Sequence, residues 1–330
     1  MVGFSIFLTN LDFSEEKFHP LFFKAKNLLP KVNILQYITT HSAIIEKTGN
    51  EGAGAVFEQL KEIRYDKELR LEAYQFNGIV QVFPNHFHEY YVIGLIEEGQ
   101  RRLIVNNQEY TIGPGDMMTF NPLDNHKCEQ TDGGSLRYRC LNITQEVMAE
   151  AFHEVKGYAG LPRFQVPVQH QAEAGGMFRN LHDRIMTAGP ELEKEEAFLV
   201  CLEQLITTYA VFKEDKQIDS KERQEIRVVC DFLEQHYAER ITLQQLSKIA
   251  KLNKFGLIRL FTRHKGITPY RYLETIRINE AKKLLEKGVE PAQAAFQTGF
   301  SDQSHLNSYF NKFIGVTPGV YQLIFREEQP

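Results

Sequence analysis

The spacing of apolar positions changes period along the chain, and the changes divide it. Between residues 69 and 143, short segments rich in β-branched and aromatic residues recur at 79–83, 90–96, 101–105, 109–112, 117–120 and 136–143. Turn residues separate them, so they are predicted to be strands. Asn106-Asn107 and Asp132-Gly133-Gly134 tolerate the positive φ that tight hairpins need. Gly113-Pro114-Gly115-Asp116 makes another sharp turn. Closely spaced hairpins predict a small antiparallel β-barrel or sandwich. From about Gly175 the period is helical. Met177, Leu181, Ile185 and Met186 share one face, and Leu199, Leu202, Leu205, Ile206 and Tyr209 another, with Gly189-Pro190 between them. This helical hairpin, residues 175–212, packs either on its own barrel or across a homodimer. Residues 213–222 hold one apolar side chain among charges, the composition of a linker. Residues 1–65 form an unassigned N-terminal extension without a motif. Helices are expected there around 15–29 and 55–63, with a loop at 48–54.

The last third contains an internal repeat. Phe261, Gly266, Pro269 and Tyr272 recur as Phe310, Gly315, Pro318 and Tyr321, each at an offset of 49 residues, and Leu257 pairs with Leu306. A fixed offset means one supersecondary unit built twice. In the first copy, Thr242 with Gln245 reads as a capping box, and Leu243, Leu246, Ile249 and Ala250 give the helix an apolar face. A break at Leu252-Asn253 precedes a second helix from about Lys254 to Lys265, stopped by Gly266. Thr268 caps a long third helix that has Pro269 in its first turn. In the second copy Pro291 opens a short helix, Gly299-Phe300 turns, Ser301 is the expected cap of the next helix, Gly315 ends it, and Thr317-Pro318 starts the last. Two helix-turn-helix units joined by a rigid helix predict two recognition helices about one DNA turn, ~34 Å, apart.

Charge follows the same division. Residues 221–330 carry 17 Lys and Arg against 12 Asp and Glu, a net of +5, while the remaining 220 residues carry −10. A basic rear attracts phosphate and an acidic front stays off it. No stretch approaches the length of a membrane span. The start lacks the basic and cleavage regions of an export signal. Cys128, Cys140, Cys201 and Cys230 form no close-spaced framework, so the expectation is a cytoplasmic protein with free thiols.

Residues from about 222 to 325 resemble the DNA-binding domain of the AraC/XylS family of bacterial regulators. The resemblance rests on Gly299-Phe300-Ser301-Asp302-Gln303-Ser304-His305-Leu306, Phe310, Phe313, Gly315, Thr317-Pro318 and Tyr321, and in the first unit on Leu257, Arg259-Leu260-Phe261, Gly266, Thr268-Pro269 and Arg277. It implies that side chains at Phe255, Ile258 and Arg259 reach base edges. The wider outward set is Lys254, Phe255, Gly256, Ile258, Arg259 and Arg263 in the first unit, and Gln303, Ser304, His305, Asn307, Ser308 and Lys312 in the second. Arg can take guanine bidentately, Gln and Asn adenine, and Ile a thymine methyl. Gly256 departs from the family, where a larger residue is usual.

The strand region carries His86-Phe87-His88-Glu89, Asn121-Pro122 and His126-Lys127-Cys128. His-x-His on one strand puts both rings on one face, and a third His from another strand would complete a facial metal site. This segment resembles the cupin-like sensor barrel of the same regulators, through His86, His88, Glu89 to Gly94, Gly99, Pro114-Gly115-Asp116, Asn121-Pro122 and His126. Enzymatic cupins place a Glu a few residues after His-x-His, where Val92 and Ile93 stand here, so no enzyme is expected. The expected effector pocket is His86, His88, Glu89, Tyr91, His126 and Cys128, with His86, His88 and His126 the candidate metal ligands. No cofactor is assigned. Cys128 and Cys140 are also weighed as a redox pair on neighbouring strands.

The whole is expected to be an α+β multidomain chain. A cupin-like β-barrel sensor at 66–174 is followed by the hairpin at 175–212, the linker at 213–222 and an all-α double helix-turn-helix domain at 223–330. The resemblance implies a sequence-specific transcription regulator, an activator by expectation, which binds double-stranded promoter DNA and responds to a small-molecule effector. It also implies contact with RNA polymerase, and the helical hairpin makes a second copy of the chain a further expected partner. The alternatives are a metal- or thiol-sensing regulator, and a cupin enzyme fused to a DNA-binding domain.

Overall fold

The computed structural model describes residues 43–52, 55–131, 133–211 and 221–325. The helix expected at 15–29 and nearly all of the linker at 213–222 lie outside them.

The strands are β1 (Ala43–Gly52), β2 (Ala55–Asp66), β3 (Leu71–Ile79), β4 (Phe83–His86), β5 (Tyr91–Glu98), β6 (Arg101–Val105), β7 (Gln108–Ile112), β8 (Met117–Phe120), β9 (His126–Gln130), β10 (Leu136–Ile143), β11 (Arg163–Phe164), β12 (Val168–Gln169) and β13 (Ala210–Val211). A large antiparallel sheet runs β1-β2-β3-β10-β5-β8-β12, and a smaller one runs β4-β9-β6-β7. Residues 55–63, expected as a helix, are strand, and so is most of the loop expected at 48–54. Val56, Leu60 and Ile63 repeat at helical spacing, but β2 pairs with β3 from Leu60↔Asn77 to Asp66↔Leu71. A tertiary partner overrides a local period.

Period two sorts the large sheet into two faces. Leu71, Ala73, Tyr91, Ile93, Leu95, Met117, Leu141 and Ile143 point to a core shared with three helices. These are α1 (Gln145–Lys156), α2 (Gly175–Met186) and α3 (Glu191–Tyr209). Phe178, Leu181 and Ile185 of α2, and Phe198, Leu202, Leu205 and Ile206 of α3, are buried there, so the hairpin packs on its own sheet. The helix α1 is not among the elements expected from sequence. Thr144 caps it by accepting from the Val147 N–H, and Gly157 ends it at φ 77°.

On the other face, Tyr74, Phe76, Val92, Ile96, Met118 and Phe120 meet Leu103, Val105 and Ile112 of the small sheet. The same core continues into the C-terminal helices through Ile278, Leu285, Leu306, Phe310, Phe313, Ile314 and Tyr321.

Those helices are α4 (Lys221–Gln235), α5 (Leu243–Ile249), α6 (Lys254–Lys265), α7 (Pro269–Glu286), α8 (Pro291–Gln297), α9 (Gln303–Ile314) and α10 (Pro318–Leu323). The capping box of α5 is formed by Thr242 and Gln245. Asn253 caps α6, Thr268 caps α7 and Thr317 caps α10 through their side chains. Gly266 and Gly315 close α6 and α9 in the left-handed conformation. The cap of α9 is Asp302 rather than Ser301: the Asp302 carboxylate accepts from the His305 N–H at 2.8 Å, and the Ser301 hydroxyl bonds to Asp302. A charged oxygen satisfies a first-turn N–H better than a hydroxyl.

Candidate nucleic-acid interface and ligand cavity

Two buried positions recur across the repeat, Leu257 with Leu306 and Phe261 with Phe310, and α9 buries Phe313 in addition. Leu257 and Phe261 in α6, and Leu306, Phe310 and Phe313 in α9, hold each helix inward. The opposite faces are the expected readout positions. Lys254, Phe255, Arg259 and Arg263 are exposed, and Gly256 and Ile258 are half-buried. Phe255 is 86% exposed. A Cβ on Gly256 would sit 3.2 Å from Asn253 Oδ1, the oxygen that caps the helix, so Gly keeps that cap uncrowded. In α9, Ser304, Ser308 and Lys312 are exposed, while Gln303, His305 and Asn307 are half-buried. The His305 ring lies edge-on to Phe300 and Tyr309, and its Nδ1 is 3.1 Å from the Ser301 hydroxyl. Phe296, on α8, is 82% exposed and was not in the expected set.

The far end of α9 does something sequence reasoning missed. Phe313 and Ile314 wall a cavity of about 100 Å³ inside the sheet domain. Its other walls include Tyr74, Phe83, Tyr90, Met118, Tyr138 and Cys140, together with His86, His88, His126 and Cys128. Among the described residues no carboxylate lines it. Glu89 and Tyr91 are not in it. Tyr91 lies on the opposite face of β5, where its hydroxyl donates to the Pro162 carbonyl, and Glu89 turns outward to Lys283 at 2.7 Å. Tyr90, one residue over, takes the inward place, as alternation requires. Cys128 and Cys140 stand on strands of different sheets, so the expected neighbouring-strand pair is not formed. Burial pushes both thiols up to about 12, which leaves them protonated and weakly reactive.

The three histidines meet because His86 of β4 is directly opposite His126 of β9. Their ring centroids are 4.5 Å apart, and that of His88 lies 4.7 Å from His86 and 5.1 Å from His126. His86 Nδ1 is 2.6 Å from the Pro84 carbonyl and His126 Nδ1 is 3.0 Å from that of Asp124. Each Nδ1 therefore carries the proton. Burial, reinforced by the mutual proximity of the rings, holds His86 and His88 well below the ordinary imidazole range. Burial lowers His126 to about 4 against the opposing Asp124 carbonyl. All three are neutral at neutral pH.

The sheet domain grips both helix-turn-helix units. Phe87, between the two histidines, points the other way and packs on Tyr272 with Phe261 in the first unit's core. Asn85 Nδ2 donates to the Gly266 carbonyl at 3.0 Å, and Gln81 Nε2 donates to that of Asn311 at 2.9 Å. Lys61 donates to the Gly315 carbonyl. At the centre of the seam, buried Lys282 Nζ lies 2.9 Å from Glu72, which also accepts from Tyr74 and Asn142 and touches the Tyr321 hydroxyl. Burial alone would raise the Glu72 carboxyl, but Lys282 and these hydrogen bonds outweigh it and hold it below its ordinary value.

Comparison with known proteins agrees with this division. A family model described as AraC-like ligand binding domain matches residues 69–202, and a helix-turn-helix domain model matches 246–323. The uncharacterized HTH-type transcriptional regulator YbfI of Bacillus subtilis (strain 168) is 50% identical over 248 residues, 75% of this chain and 90% of that one. The HTH-type transcriptional activator RhaS of Pectobacterium carotovorum is 27% identical over 261 residues, 74% of this chain and 90% of its own. Among solved structures, an apo ToxT variant from Vibrio cholerae strain SCE256 aligns over 88% of this chain and 100% of that one, with a TM-score of 0.47 and 13% identity. Among the described residues no helix is long and apolar enough to cross a membrane.

Proposed function

The chain belongs to the AraC family of transcriptional regulators, with a ligand-binding sheet domain and a helix-turn-helix DNA-binding domain, and on that premise we propose that its effector acts by moving the helix that walls its own cavity. The observation that carries this reading is that Phe313 and Ile314, at one end of α9, line the cavity, while Ser304 and Ser308, nearer the other end, face solvent for DNA. A cavity of about 100 Å³ is small. An apolar cavity of about 150 Å³ holds benzene, so a larger effector enters only as α9 shifts. Such a ligand has different affinities for the closed and shifted states, the condition for switching between them.

In this reading α6 supplies the stronger base contacts, through Arg259 and the exposed Phe255, and α9 supplies weaker ones through Gln303, Ser304, His305, Asn307 and Ser308. Lys254, Arg263 and Lys312 hold phosphate. Activation of transcription is supported by the activators among its relatives, and contact with RNA polymerase is included in the proposal. The protein works in the cytoplasm, without catalysing a reaction. A homodimer is included, with exposed Leu192 and Val200 of α3 as its contact, since α3 otherwise spends its apolar face on its own sheet.

The test is a Phe313→Ala variant, which opens the cavity and loosens the lid. Its affinity for operator DNA should become less dependent on effector than that of the wild type, measured by fluorescence anisotropy with candidate metabolites. An unchanged effector response would remove α9 as the switch.

A further inference from the structure

The geometry points to a bound divalent metal ion: we infer that His86, His88 and His126 hold one ion of the zinc, cobalt or nickel class, with its open coordination position facing the cavity. One nitrogen from each ring lies within 4.8 Å of the others. At metal–nitrogen distances of ~2.0–2.1 Å, tetrahedral ligands stand about 3.4 Å apart, so closing on an ion takes ring movements of roughly an ångström.

The donor set is built for such an ion in two respects. First, the Nδ1 protons of His86 and His126 go to the Pro84 and Asp124 carbonyls, which leaves each Nε2 as the lone-pair donor. Metal-binding histidines are oriented in this way by backbone carbonyls. Second, His88 Nδ1 is buried with no hydrogen-bond partner among the described residues. An orphan of that kind is costly in a cavity wall, and coordination satisfies it. Imidazoles without carboxylates select borderline transition metals over magnesium or calcium. Cys128 shares the cavity but lies outside the cluster.

The ion would also sit where the two domains join. The His86 ring is 5.2 Å from the Phe313 ring of α9. His88 stacks on Tyr90 at 4.7 Å, and Lys282 of α7 lies over the other ring of that pair at 4.0 Å. Drawing the histidines together therefore pulls on two of the contacts between the sheet domain and helices α7 and α9. The open position gives an effector oxygen or nitrogen a place to bind, which extends the cavity reading above. Metal binding itself is read without DNA or effector, so its failure and the failure of that reading are separable.

The experiment titrates full-length protein, freed of metal by chelation, with Co²⁺ and follows visible ligand-field absorption. Expected is saturation at one equivalent per chain, reversal by Zn²⁺, and an affinity loss of about 10–100-fold or more in His88→Gln and in His126→Gln. Glu89→Gln, outside the cavity, should titrate like the wild type. X-ray absorption of the zinc-loaded wild type, which needs no variant to fold, should show three imidazole ligands. Absence of a saturable one-equivalent spectrum, or a zinc shell with fewer than two imidazoles, overturns the assignment.

Discussion

Arg259 and Phe255 stand exposed on the face of α6 that its buried residues leave free. Replacing Arg259 with Ala should weaken operator binding by about 1–3 kcal/mol and relax the base preference at one position. Replacing Lys254 should weaken all DNA alike and lower the salt slope by about one. Competition binding over a salt series separates the two. His182 makes a different prediction. It is fully buried on α2, its Nε2 donates to the Tyr74 carbonyl at 2.9 Å, and its Nδ1 has no partner. Burial, aided by Arg139, lowers it to about 4. The unfolded chain then takes up the proton first as pH falls. Stability from this residue is intact above about pH 6.5 and declines toward pH 4, by on the order of 3 kcal/mol. Thermal melts of the wild type against His182→Gln over that range should show the decline flattened in the variant. Residue by residue, the outward sets of α6 and α9 were legible because helical period and the repeat fix which side faces in. The cavity set was legible only in part. His86, His88, His126 and Cys128 were found, but Glu89 and Tyr91 were included against the alternation that Tyr90 obeys.

At the scale of elements, Thr242, Thr268 and Thr317 made the starts of α5, α7 and α10 readable and Gly266 and Gly315 the ends of α6 and α9, while the Asn253 cap of α6 was read only as a break and the cap of α9 was placed one residue early. Two elements escaped for opposite reasons. The helix α1 had its Thr144 cap and Gly157 stop in plain sight, with Val147, Met148, Ala151 and Phe152 on one face. The strand β2 carried a helical spacing by accident, and only its pairing with β3 defines it. Gly315 joins element to domain. Its φ is +94°, and a Cβ there would lie 2.7 Å from the Phe76 ring of the sheet domain. Gly315→Ala should therefore cost about 1–3 kcal/mol from backbone strain and displaced packing. It should also raise amide hydrogen exchange in α9 and α10. If exchange there is unchanged while global stability falls, Gly315 serves the helix end alone.

Across the whole molecule, the sheet domain does not merely precede the DNA-binding domain but shares a core with its second unit. None of that was visible in the sequence, because Glu72 and Lys282 are 210 residues apart and no local period links them. The buried Lys282–Glu72 pair is the place to break it. Removing one partner strands the other charge and typically costs about 3–5 kcal/mol. Lys282→Met should thus release the second unit, seen as faster proteolysis within 287–325, and Glu72→Gln added to it should recover part of the loss. The Glu72 carboxyl is depressed, so the contact is complete above the ordinary carboxylate range and weakens as pH falls through the lowered value.

Two helices of one chain together recognise a specific DNA sequence in this reading. Selection of the full-length protein against a random duplex library, over a range of salt, measures it most directly. Expected is one enriched site with two readout blocks spaced about one helical turn apart, binding that weakens steeply with salt, and loss of the block read by α6 in Arg259→Ala. No enriched sequence, or the same site enriched by a variant altered at both Arg259 and Gln303, would contradict it.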